Sequence, residues 1–195
     1  MDRRNAIKRV TALLGGAALI GGTSLIAACS KERDTSRAAG IGQFSTTDIA
    51  WLDEVADTIL PTTSTPGAKA AAVGAFMALM VTDTYDEKDQ QIFRAGMTQL
   101  EDASKSVNKS GFMDATPAQR LTLLEGLDKQ AMDYQDAKKG EDPNHYFRMV
   151  KELTLLGYFT SEIGYTQAMR YQESPGRFDP CLPYTPGEKS WAAHA

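Results

Sequence analysis

The chain has little with which to run a reaction. Of its 195 residues, two are cysteine, two histidine and two tryptophan. Cys29 and Cys181 stand far apart, so there is no Cys-x-x-Cys pair. That excludes a local thiolate zinc site and covalent c-type haem attachment. His145 and His194 form no His-x3-His or His-Glu-x-x-His pattern. Gly-x-Ser-x-Gly is absent, and so few histidines leave a Ser-His-acid triad little material. No stretch alternates apolar and polar residues for a useful length, so no strand is predicted. Without a strand there is no Gly-x-Gly-x-x-Gly turn and no dinucleotide site of the chain's own. A basic stripe is missing too. The net charge is −4, which argues against nucleic acid and against an anionic lipid surface as partner.

What acids there are read as helix ends. Asp83, Asp86, Glu87 and Asp89 lack the glycine a calcium loop needs. Glu141, Asp142 and His145 are the only local metal-like cluster, and they sit where a helix start favours negative charge. The methionines at 77, 80, 97, 132, 149 and 169 mostly share apolar helical faces with Leu and Phe. Core filling is their reading, not copper or haem ligation.

What is present begins at the N-terminus. Arg3-Arg4-Asn5-Ala6-Ile7-Lys8 is a twin-arginine pair followed by an apolar residue and a lysine. A Gly/Ala-rich apolar stretch runs from Val10 to Ala28, and Ile26-Ala27-Ala28-Cys29 has the pattern of a lipoprotein cleavage box. Glycines at 15, 16, 21 and 22 interrupt the run, whereas a spanning helix wants about 20 strongly apolar residues. Residues 1–28 are therefore expected to be a twin-arginine lipoprotein signal peptide and are set aside from fold reasoning. Cys29 is the expected lipidation site, and two or three acyl chains there would hold the protein to a membrane firmly. Residues 29–43 read as a polar tether. The leader carries Arg3, Arg4, Lys8 and Arg9 against Asp2, so the remainder is more acidic than the whole chain.

From residue 44 onward the pattern is helical. Ser45 and its neighbours offer N-caps, Asp48 complements the first turn, and Ile49, Leu52, Ala56 and Ile59 recur at helical spacing until Pro61. A loop over 62–69 leads to a second helix over 70–85. A third follows over 86–107, with Ile92, Phe93, Met97, Leu100, Ala103 and Val107 on its apolar side. Thr116-Pro117-Ala118-Gln119 is a strong start signal for a fourth, carrying Leu121, Leu124, Leu127, Ala131 and Tyr134 and stopping near Gly140. Asp142-Pro143 repeats that logic for the longest pattern, from Asn144 to about Tyr171. Gly157 and Gly164 interrupt it, which implies a kink or a close approach by another backbone. From about residue 172 prolines at 175, 180, 183 and 186 forbid helix, with Phe178, Tyr184 and Trp191 between them. The expected fold is all-α: an irregular bundle of about five to six helices with an extended Pro-rich C-terminal arm.

Two features point to a partner. Tyr158, Phe159, Tyr165 and Tyr171 surround two glycines and one acid, Glu162, which is an interface-like composition. The arm's aromatics, too costly to leave in water, should lie along the chain's own bundle or a partner's surface. The candidate partner interface is Gly157, Tyr158, Phe159, Glu162, Gly164, Tyr171, Pro175, Gly176, Phe178 and Trp191. Cys181, an odd cysteine in a disulfide-permissive compartment, is a candidate for an intermolecular bridge, a free thiol or a buried apolar group. Twin-arginine export moves folded proteins, typically cofactor-loaded ones, yet no cofactor or metal site is expected in this chain. Escort of a cofactor-loaded partner resolves that. The competing readings are an enzyme using Glu162 and His145 as acid and base, and a stand-alone periplasm-facing lipoprotein that binds a ligand or envelope component.

The residues also carry a family resemblance. Ile59-Leu60-Pro61-Thr62-Thr63, Thr65-Pro66-Gly67-Ala68-Lys69-Ala70, Leu153 to Gly164, Arg170-Tyr171, Pro175 to Cys181 and Trp191 together resemble the gluconate 2-dehydrogenase subunit 3 family. The similarity runs from about Ile49 to Trp191, in pattern only over 86–139. It implies a non-catalytic small subunit that supports folding and export of a large dehydrogenase subunit of the glucose-methanol-choline type. FAD and the hydride chemistry would sit in that partner, with a cytochrome c subunit often accepting the electrons. Cys181 sits in the arm read as partner-facing, so a disulfide to the large subunit is one of its candidate fates. The lipobox departs from what the family leads one to expect, and would make this subunit the periplasm-facing lipid anchor.

Overall fold

Ser45 opens the first helix, α1 (Thr46–Ile59), by a reciprocal exchange. Its hydroxyl accepts from the Asp48 N–H at 3.2 Å, and the Asp48 carboxylate accepts from the Ser45 N–H at 2.8 Å. Thr116 and Gln119 repeat the device at the start of α4 (Pro117–Ala137), with Pro117 in the first turn. These capping boxes are where sequence signal and structure agree most closely, because each is a purely local arrangement. The computed structural model describes residues 40–174, 176, 181 and 183–192. Between α1 and α4 lie α2 (Val73–Thr84), α3 (Glu87–Asn108) and a 3-10 turn, Phe112–Asp114. After them come α5 (Tyr146–Phe159) and a π-helical segment, Gly164–Ala168. Among the described residues there is no strand, only single bridges at Ile41–Phe44 and Arg170–Trp191. The all-α expectation holds. The leader, with Arg3, Arg4, Lys8 and Cys29, lies outside the described residues. No helix among the described residues is long and apolar enough to cross a membrane.

The central helix is α5, which packs against all four other α-helices. Its buried positions are 146, 147, 149, 150, 153, 154, 157 and 158, a stripe of period near 3.6. Around it stand Leu52 and Val55 of α1, Val73, Met77 and Val81 of α2, and Phe93 and Leu100 of α3. Leu123, Leu124 and Leu127 of α4 close the other side. Thr154 is buried but satisfied, its hydroxyl donating to Val150 O at 2.8 Å.

Several boundaries differ from the sequence reading. The second helix starts at Val73, because residues 67–71 close successive tight turns and Ala72 is left-handed at φ 54°. Ala72 has no capping side chain, so Asp53 of α1 accepts the Gly74 N–H at 2.7 Å instead. The long pattern over 144–171 is not one helix. It begins at Tyr146, with His145 and not Asp142 as cap, the ring Nδ1 accepting from Phe147 N at 3.2 Å. It ends at Phe159, before a turn at residues 160–161. Val107, Leu121 and Tyr134, expected on apolar faces, are exposed. In α4 the inward set is 123, 124, 127 and 131, which turns Leu121 outward.

Candidate docking surface

The inward stripe of α5 carries two of the expected interface residues into the chain's own core. Tyr158 is 4% exposed, and its hydroxyl donates to Pro66 O at 2.7 Å. Gly157 is buried under Phe76, whose ring carbon would lie 2.6 Å from a Cβ at 157. The neighbour there is a side chain, not a backbone. Gly157 continues the 146-150-153 row and Tyr158 the 147-150-154 row, so their burial follows from the helix phase. They support the bundle and do not face a partner. Gly164 is buried for another reason. A Cβ there would lie 2.0 Å from Tyr158 O, so only glycine lets the chain fold back over the end of α5.

The outward face of α5 changes character along its length. Its first half carries Arg148 and Glu152, ion-paired at 2.7 Å. The second half carries Leu155, Leu156 and Phe159, all exposed, with Phe159 edge-on to Tyr158 at 5.2 Å. Composition alone does not single out Leu155 and Leu156. The signal was there, since 152, 155, 156 and 159 share one helical face. Glu162 follows on the next turn and is exposed. Over residues 153–171 the charged side chains are Glu162 and Arg170.

Arg170 gathers the end of the arm. Its N–H donates to Ser190 O at 2.9 Å, and its carbonyl accepts from Ala192 N at 2.8 Å. The guanidinium lies 4.5 Å over the Trp191 ring and 3.3 Å from the Glu188 carboxylate. Lys189 donates to Gln167 O. Trp191 is thus held against its own chain, yet remains 46% exposed. Tyr171 packs edge-on to Tyr165 at 5.7 Å and is exposed, as is Gly176, at φ 70°. Pro175 and Phe178 lie outside the described residues. Cys181 is exposed, which removes its buried reading.

The acid–base pair of the enzymatic reading does not assemble. His145 caps one end of α5 and Glu162 lies beyond the other, and a helix of 14 residues is about 21 Å long. His145 stacks on Tyr146 at 4.7 Å, and burial pushes its pKa down. No group of three or more His, Cys, Asp or Glu among the described residues is placed to hold a metal, so Glu141, Asp142 and His145 form no such cluster.

The strongest electrostatic arrangements are structural ties that the sequence did not announce. Glu54 of α1 accepts from Lys69 at 2.6 Å and from Arg120 of α4. Those hydrogen bonds, Lys69 first, outweigh burial and hold its pKa below the ordinary carboxylate value. Arg120 also donates to the carbonyls of Phe112 and Met113, at 2.8 and 2.6 Å. Glu101 of α3 accepts from the Trp51 indole at 3.2 Å and from Phe112 N at 3.1 Å. Burial works to raise its pKa, but these bonds and Lys105 bring it down. Partners 50 or more residues apart cannot be paired from one sequence.

No curated protein and no solved structure matches the chain. The family described as gluconate 2-dehydrogenase subunit 3 matches residues 46–176, from the first turn of α1 into the arm. That span takes in the five helices, the exposed apolar ridge and Arg170. The chain belongs to the gluconate 2-dehydrogenase subunit 3 family, the accessory subunits of a dehydrogenase complex.

Proposed function

We propose that this chain is the non-catalytic small subunit of a periplasm-facing, FAD-dependent sugar or polyol dehydrogenase of the glucose-methanol-choline type. It assists folding of the large flavoprotein subunit, carries it out by the twin-arginine route and anchors it through Cys29. The observation that carries this reading is the family match together with an exposed, nearly uncharged ridge at Leu155, Leu156 and Phe159. Interfaces are depleted in charge and rich in aromatics at their centre. Arg170, Tyr171 and Trp191 are of the residue types that dominate binding energy when covered. FAD belongs to the partner in this reading, and a cytochrome c subunit is a further candidate member.

The test is coexpression with a candidate large flavoprotein subunit from the same organism. The proposal expects the two to co-purify with bound-flavin absorbance. It also expects the flavoprotein to stay in the cytoplasm when Arg3 and Arg4 are both replaced by Lys. A flavoprotein exported equally well without this chain, and absent from its pull-down, would show the proposal to be wrong.

A further inference from the structure

The C-terminal end of the arm is held to the bundle by few ties. Thr185-Pro186-Gly187-Glu188 turns the chain, with Glu188 N donating to Thr185 O at 3.1 Å and Gly187 at φ 87°. Proline in second place and a positive φ in third are the marks of a type II turn. Beyond the turn, residues 188–192 come back to Arg170 as a strap. Two main-chain bonds join them there, Arg170 N to Ser190 O at 2.9 Å and Ala192 N to Arg170 O at 2.8 Å. The Glu188 carboxylate accepts from Arg170 at 3.3 Å, a long bond for an ion pair between two partly exposed side chains. Within the strap only Ala192 is buried.

Closure has two costs. It pins both ends of residues 171–187 together, which removes chain freedom. In the closed strap Arg170 Nε is also buried, with no hydrogen-bond partner among the described residues. A guanidinium carries five donors and does not give up its proton, so a stranded N–H is a standing penalty. On the other side, a part-exposed ion pair contributes a factor of about five at most, and the guanidinium–indole contact about as much. Gains and penalties of similar size describe a segment that opens locally while the bundle stays folded.

Opening releases groups that a partner can bind. The Trp191 indole is 46% exposed with one face under the guanidinium, and opening bares that face. Arg170 regains all its donors. The strap also lies at the ridge end of the molecule. Lys189 donates to Gln167 O in the π segment, which folds back over the end of α5 that carries Phe159. A protein covering the ridge therefore meets the strap.

We infer that residues 188–192 are a latch, closed on Arg170 in the free chain and opened when the large subunit binds, so that Arg170 and Trp191 exchange each other for the partner. This rests on the proposed function and goes further, since it names a conformational step in assembly.

The experiment joins amide hydrogen exchange on the purified chain to its affinity for the purified large subunit. Arg170 and Ala192 own the two amides bonded across the latch, so their exchange reads its opening. Two variants loosen the latch by unrelated means. Glu188→Ala removes the ion pair. Gly187→Ala puts a side chain at positive φ, where a Cβ would meet nothing within 4 Å, so backbone strain is its only effect. Each should speed exchange of both amides about threefold to fivefold and tighten binding by a similar factor, because a partner that needs the open form binds more weakly as that form is scarcer. A merely structural tie would not raise affinity when lost. Wild-type or weaker affinity in variants whose exchange has risen overturns the inference and leaves the proposed function standing. Exchange that rises in neither variant overturns it as well. A wild-type chain that does not bind the large subunit overturns both.

Discussion

Replacing Gly164 with alanine tests the packing that breaks the helical pattern after α5. A Cβ at 164 would sit 2.0 Å from Tyr158 O and 2.8 Å from Phe159 Cα. Both atoms are backbone, in the last turn of a helix whose Tyr158 side chain is locked into the core and bonded to Pro66. The obstacle cannot rotate away, so the π segment or the end of α5 must move. Overpacking costs about 1–3 kcal/mol, and a collision with main chain belongs at the upper end. In a domain of this size 1 kcal/mol moves the melting temperature by about 2–4 °C. Gly164→Ala should therefore melt about 6–12 °C below wild type. Gly126 supplies the control. It lies inside α4, and a Cβ there would meet nothing within 4 Å. Gly126→Ala should add about 1 kcal/mol from helix propensity and raise the melting temperature by about 2–4 °C. The two substitutions are chemically identical, so only the surroundings separate them. Thermal unfolding followed by far-UV circular dichroism on the purified chain reads both. A Gly164→Ala variant that melts with wild type would refute the reasoning, because the backbone there would then be free to yield.

Arg120→Met removes a guanidinium that ties Glu54 to two carbonyls, and should cost about 2–3 kcal/mol near neutral pH by urea denaturation. The Glu54 pKa is lowered in the fold, so its contribution is present above the ordinary carboxylate range and lost as pH falls through the lowered value. The gap between wild type and variant should narrow in acid, and an equal gap at both pH values would contradict this. His145 must be neutral at Nδ1 to cap α5, and burial lowers its pKa below 6.5. Its contribution is full above that unfolded value and declines as pH falls below it. His145→Ser, which caps without titrating in this range, should flatten the stability profile between about pH 7 and 5. An unchanged slope would show that the cap does not depend on the proton.

What was legible in the sequence was local. Ser45 with Asp48 and Thr116 with Gln119 announce their helices because each capping bond spans three residues. The apolar series of α1 placed its core face for the same reason. Gly164 announces an interruption, but the break itself falls earlier, after Phe159, because the contact that demands glycine is with Tyr158 O, six residues back. Composition alone points Tyr158 towards a partner. Its helix phase and its bond to Pro66, 92 residues earlier, turn it inward. Leu155 and Leu156 look like core in a list of residues. They are surface because the buried stripe of α5 ends one position short of them on either side. The ties from Glu54 to Arg120 and from Trp51 to Glu101 join residues 66 and 50 apart, and only the packed bundle brings them together.

The central claim is that this helical body grips a flavoprotein through the face that ends in Leu155, Leu156 and Phe159. The direct measurement is the flavin absorbance retained on an affinity-tagged Leu156→Asp, Phe159→Asp chain coexpressed with the large subunit, relative to the tagged wild type. Both side chains lie at the surface, so the variant should still fold, melting somewhat below wild type for the lost Phe159–Tyr158 contact, while losing most of the bound flavoprotein. Wild-type flavin retention on a folded double variant would contradict the account.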